Sequence, residues 1–163
     1  EWYIGVGDFN PYTLLTVTGE APATGDDPPS DLSLDVHEFT LGLPEHLPAG
    51  PQVWHVANTG EQLHEIQLIR TPELLDAQQV ITIMTLPEGG TPPAGVPDIS
   101  ALEFVPEGAK SISPGREIWI EMDLQPGTYA AICSNADTGS GQPHALLGEI
   151  HTFTVGDNAT PVS

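Results

Sequence analysis

Positive charge, thiols and long apolar runs are what this sequence has least of. Its 163 residues hold three fixed cations, Arg70, Lys110 and Arg116, against 23 acidic side chains, a formal net charge of −20. That balance argues against nucleic acid and against anionic membrane surfaces as partners, because neutralising phosphates takes a basic patch. It suits a soluble protein outside the cytoplasm and would favour a partner with a basic docking surface, or cations. Solubility alone accounts for the acidity equally well. No run of about 18 apolar residues exists, so no segment is expected to insert in a membrane. The chain opens at Glu1 without a basic, apolar leader, and a signal or anchor removed beforehand is expected. The single cysteine, Cys133, cannot form an internal disulfide. It is a small buried hydrophobe, a link between chains or a metal ligand.

Turn formers are abundant instead: 17 prolines and 17 glycines. They separate short stretches that alternate apolar and polar residues, the pattern of half-buried strands. WYIGV (2–6) and TLLTVTG (13–19) are candidates, followed by a polar Pro/Gly linker over 20–31. LSLDVHEFTL (32–41) turns Leu32, Leu34 and Val36 inward, and GPQVWHVANTG (50–60) puts Trp54 and Val56 on one face. HEIQLIR (64–70), REIWIEMDL (116–124), the strand after the turn in QPGTYAAIC (125–133) and EIHTFTV (149–155) complete the set. One helix is expected in TPELLDAQQVITIM, with Thr71 as its cap and Pro72 at its first position. Residues 86–98 read as loop. Regular short strands with one inserted helix predict an all-β fold, a two-sheet antiparallel Greek-key sandwich. Residues 32–156 would form the domain, 1–31 an N-terminal extension or extra strands, and 157–163 a flexible tail.

The chemistry concentrates near the C-terminus. Tyr129, Ala131 and Cys133 share a strand face, and Glu149, His151, Phe153 and Val155 share another. Phe153 and Val155 belong inside, so parity points Glu149 inward as well, with His151 a weaker candidate. A buried lone carboxylate is costly unless paired, and a metal ion would pair it. His64 opens a strand with the parity of Ile66 and Leu68. His64, Cys133 and His144 can therefore converge at one pole of the sandwich, next to Glu149. One thiolate and two imidazoles form a trigonal set that suits copper with a weak fourth position. Each residue has a plainer role open to it: His64 as a satisfied core histidine, His144 as an exposed loop residue. Glu149 can be an axial ligand, a solvent-facing carboxylate or a partner to a histidine.

Two segments together, VWHVANTGEQLHEIQLIR and LQPGTYAAICSNADTGSGQPHALLGEIHTFTV, resemble the cupredoxins, or blue copper proteins. The likeness is to bacterial plastocyanin/azurin-like domains with a long Cys-to-His loop, and it covers about residues 32–155. In that family a turn of Asn-x-Gly type precedes the first histidine ligand, which falls on His64. A Pro-Gly-Thr-Tyr turn leads to the cysteine ligand, Cys133, and the second histidine matches His144. The usual axial methionine is replaced here by Glu149. The resemblance implies one copper, Cu(I)/Cu(II), per chain, and one-electron transfer to a redox partner outside the cytoplasm, not enzymatic catalysis. His144, where partly exposed, would be the route to that partner. A hard carboxylate in place of a thioether favours Cu(II), lowers the potential and moves a blue site toward a red one. The ten-residue loop between Cys133 and His144 is longer than in the small members. These two departures leave room for an alternative, a metal-free or copper-storing binding or assembly module on the same scaffold.

The other candidates read as structural. His37, His46 and His55 are structural or exposed, and Met84 and Met122 fill the core. The carboxylates at 25–27 and 134–137 lack the spacing of a calcium loop. Gly-x-Ser-x-Gly, P-loop and His-Glu-x-x-His motifs are absent.

Overall fold

Alternation of apolar and polar residues builds two sheets that close on each other. They are seen in a computed structural model that describes residues 2–4, 13–15 and 25–156. Trp2–Ile4 (β1) and Thr13–Leu15 (β2) pair antiparallel. The smaller sheet of the sandwich joins Leu32–Val36 (β3), Gly50–Asn58 (β5) and Glu117–Leu124 (β8) in the order β3-β5-β8. The larger sheet joins His46–Leu47 (β4), His64–Thr71 (β6), Glu103–Ile112 (β7), Gly127–Ile132 (β9) and Ile150–Val155 (β10). Its order is β4-β10-β9-β6-β7. Most pairs are antiparallel; β3 with β5 and β4 with β10 are parallel. The chain passes from one sheet to the other at every step from β3 to β6, and again between β7 and β8 and between β8 and β9, as a Greek-key sandwich does.

The strand parities expected from sequence hold. Leu32, Leu34 and Val36 are buried while Ser33 and Asp35 are exposed. Trp54, Val56, Ile66, Leu68, Tyr129, Ala131 and Phe153 meet in the main core between the sheets, and Met122 fills it as expected. The hydroxyl of Tyr129 donates to the carbonyl of Gln125 at 2.7 Å, which braces the turn into β9. The outer face of the larger sheet is also covered. Ile69, Ala130 and Ile132 pack under a helix, Ala77–Thr85 (α1), with Leu75, Val80, Ile83 and Ala145. Burying both faces explains why β9 reads as a near-continuous apolar run.

Three expectations need correction. The helix begins at Ala77, not at Pro72. Asp76 is its N-cap, in a capping box with Gln79: each side chain accepts from the other's backbone amide, both at 2.8 Å. Thr71 instead ends β6, where ladder pairing to Thr128 outcompetes a cap. The strand expected over 32–41 stops at Val36, and the chain then makes a tight turn. β7 was not expected at all. Pro106 and Gly108 interrupt its pattern, and its pairing with β6 shifts register twice, between His64 and Ile66 and between Ile66 and Leu68. Gly108 is required there: a Cβ would lie 2.3 Å from the carbonyl oxygen of Ile66. Most of the expected N-terminal extension and all of the C-terminal tail, 157–163, lie outside the described residues.

Candidate metal centre

His64 owes its position to a turn held by Asn58. The Asn58 amide donates to the carbonyls of Gln62 and Ile112, both at 2.7 Å, and its oxygen accepts from the Gly60 amide at 2.9 Å. This is the local reason an Asn-x-Gly sequence precedes the histidine: it closes the turn and aims the first residue of β6 inward.

Cys133, His144 and Glu149 come from one stretch that folds back on itself. The backbone amide of Ala145 donates to the Cys133 carbonyl at 2.8 Å, that of Glu149 to the His144 carbonyl at 3.0 Å, and that of Cys133 to the Glu149 carbonyl at 3.3 Å. His144 begins a short 3-10 helix, His144–Leu147, ending at Gly148. Glu65, on the polar face of β6, receives the amide of Ser134 at 3.2 Å and its hydroxyl, which ties the residue after the thiol to the neighbouring strand.

All four side chains singled out in the sequence meet. One ligating atom from each of His64, Cys133, His144 and Glu149 lies within 4.8 Å of the others, and all four residues are fully buried. His64 Nδ1 is 2.8 and 3.0 Å from the Glu149 oxygens, and His144 Nδ1 is 3.1 Å from Oε2. Cys133 Sγ is 3.5 Å from His144 Nδ1, and the two imidazole rings lie 4.8 Å apart. Both Nδ1 atoms thus turn toward the thiol and carboxylate. The opposite nitrogens, His64 Nε2 and His144 Nε2, are buried and have no hydrogen-bond partner.

Burial sets the electrostatics. It pushes the Cys133 thiol up to about 11; the Glu149 and Glu65 charges add to this, while the backbone amides of Glu65 and Asn135 pull it back. Burial also raises Glu149, against the hydrogen bond from His64, the charges of His64 and His144, and the backbone of Phe39. The solvent-facing reading of Glu149 is therefore excluded. His144 is fully buried too, so the partly exposed edge expected of it is not present. Phe39 lies against it, with ring centroids 6.0 Å apart and planes at 81°.

His151, His55 and His46 contact groups outside the cluster. His151 is half-buried and contacts the Pro44 carbonyl at 3.2 Å. His55 stacks on Trp119 and pairs with Glu117 at 2.8 Å, and His46 meets the Thr154 hydroxyl. Sequence reasoning missed Glu38, whose Oε1 is 3.6 Å from His64 Nε2, as well as Phe39. No local motif marks them, because they reach the site from a turn in a distant part of the chain.

A donor set of two imidazoles, one thiol and one carboxylate fits a transition metal. Two of these donors are anions when they ligate, so a divalent ion would be neutralised inside a dry site. Among the described residues no lysine or arginine reaches the cluster to do so instead; Arg70 pairs with Glu103, and Lys110 and Arg116 are exposed.

No protein-family profile and no curated protein matches this chain. Among solved structures it is similar to reduced auracyanin from the photosynthetic bacterium Roseiflexus castenholzii, at 19% identity and a TM-score of 0.45, over 76% of this chain and 94% of that one. It is similar to auracyanin B at 17% identity and a TM-score of 0.40, over 79% and 91%. A multicopper oxidase from Pediococcus acidilactici aligns at 13% identity and a TM-score of 0.42, over 89% of this chain and 30% of that one. At such values the strand pairing, not the likeness, defines the fold.

Proposed function

We propose that this chain is a mononuclear copper protein of cupredoxin type that carries single electrons outside the cytoplasm. One observation carries the reading: His64 Nδ1, His144 Nδ1, Cys133 Sγ and a Glu149 oxygen converge in a buried cluster. A copper ion held by these four residues would supply the one-electron couple. The protein's part is to hold the donors still. His64 and Cys133 are tied to neighbouring strands of one sheet, and His144 and Glu149 to a loop closed by backbone hydrogen bonds. Donors that do not move between oxidation states keep reorganisation small. Glu149, a hard anionic oxygen in place of a soft donor, favours the more highly charged ion, so the potential should be low for this kind of site. Four protein donors leave no position reserved for substrate, which supports a carrier over an enzyme. The net charge of −20 supports a partner with a basic docking face. Among the described residues no helix is long and apolar enough to cross a membrane.

The complete burial of His144 favours a second reading, in which the scaffold stores copper or acts as a binding module without passing electrons. Titration with Cu(II), followed by visible absorption and metal analysis, tests the first. The expected result is an intense sulfur-to-copper band that saturates at one equivalent. Stoichiometric copper that cannot be cycled between oxidation states points to storage, and no band with no bound metal leaves the binding module.

A further inference from the structure

One tight turn touches both histidines of the cluster. His37 and Thr40 exchange backbone hydrogen bonds of 3.1 and 2.8 Å, which leaves Glu38 and Phe39 at the tip. Phe39 has φ of +63°, the only positive value among the described residues that are not glycine. A bulky side chain is disfavoured in that region and persists where its surroundings over-determine it. Glycine would serve the turn better, so the reason for phenylalanine lies in what its ring touches. The ring stands edge-on to His144, while 44% of the residue stays exposed.

Glu38 holds the same turn in place from the other side. Its carboxylate accepts the amides of Glu61 at 2.6 Å and Gln62 at 2.9 Å, within the turn that aims His64. Gly60 leaves it room, since a Cβ there would lie 2.7 Å from a Glu38 oxygen. The carboxylate then faces His64 Nε2 at 3.6 Å, ion-pair range rather than a hydrogen bond.

We propose that the 37–40 turn is the cap of the centre. Phe39 is its access-determining residue, keeping water and small ligands from the His144 edge. Glu38 is a positioning residue that fixes His64 from its far nitrogen. The cap gives a reason for a buried but unpartnered His144 Nε2: the ring over it excludes solvent without offering a hydrogen bond. The inference deepens the metal-site reading, but it concerns the approach to the donors and can be tested without metal.

The test is carbethoxylation of metal-free protein by diethyl pyrocarbonate, with each histidine mapped by mass spectrometry and exposed His46 as the internal reference. In the parent chain His144 should react far more slowly than His46. Phe39→Gly suits the positive φ, and it should speed His144 modification about tenfold or more, because reaction no longer waits for local opening. Phe39→Leu keeps apolar bulk and should stay near the parent rate. Parent His144 reacting as fast as His46, or an unchanged rate in Phe39→Gly, overturns the cap. Equal acceleration by both variants assigns protection to the fold at large and overturns it too. For Glu38, the variant Glu38→Gln keeps an acceptor for the two amides but removes the charge. It should shift the side-chain nitrogen resonances of His64 and leave those of His144 in place; unshifted His64 resonances remove Glu38 from the proposal.

Discussion

Gln62 grips the loop beyond Cys133 with both ends of its amide. Its Nε2 donates to Asp137 Oδ1 at 2.9 Å, and its Oε1 accepts the amide of Thr138 at 2.7 Å. The turn that aims His64 and the loop that carries His144 are thereby fastened to each other. Removing the grip with Gln62→Ala should leave both sheets intact and cost about 1–2 kcal/mol, the ordinary worth of two hydrogen bonds. Amide exchange over 136–142 should accelerate while β9 stays protected. A uniform acceleration across the chain would show that the grip is structural for the whole domain.

Asp137 makes the same loop sensitive to acid. Its Oδ2 accepts the amides of Gly139 at 3.1 Å and Ser140 at 2.6 Å and the Ser140 hydroxyl at 2.8 Å. The hydrogen bond from Gln62, then those from Ser140, hold its pKa down to about 2. A carboxyl lowered on folding stabilises the folded loop above its unfolded value and loses that contribution as pH falls through its folded value. The loop should therefore loosen between about pH 4 and pH 2. Asp137→Asn should abolish this dependence, as read from the Ser140 amide shift against pH.

In a copper-loaded centre Glu149 and Cys133 would divide the properties between them. Glu149→Met replaces a hard anion by a soft neutral donor and should raise the reduction potential and move the spectrum toward a blue site. An unchanged potential and spectrum would mean that Glu149 does not ligate. Cys133→Ser should remove the sulfur-to-copper band and leave the far-ultraviolet dichroism unaltered.

Gly108→Ala should destabilise the domain by about 1–3 kcal/mol, because the new methyl group meets backbone and not a movable side chain. Thermal melting measures it. The affected contact is the Ile66 carbonyl, two residues from His64, so metal affinity should fall along with stability.

The convergence of His64 and Glu149 was legible because strand parity and burial are strict. Ile66 and Leu68 must face the core, and His64 shares their side; Phe153 and Val155 do the same for Glu149. What escaped was whatever breaks period or acts across the chain. β7 carries a proline, a glycine and two register shifts, so it shows no alternation. Thr71 followed by proline imitates a helix start, while the working cap, Asp76 with Gln79, lies one turn further on. Glu38 and Phe39 act through a left-handed turn, which an ordinary Glu-Phe dipeptide does not announce.

β9 is the middle strand of its sheet, with β6 and β10 on its edges, the main core beneath it and α1 above. Its amides should be the last in the molecule to exchange, opening only when the domain does. Cys133 follows directly on this strand and is pinned by its own amide to Glu149. A thiol anchored there cannot swing outward to fetch an ion after folding. A metal taken up after folding would have to come to the sulfur, so its rate of uptake should follow breathing of the loops at the pole and not that of the sheet.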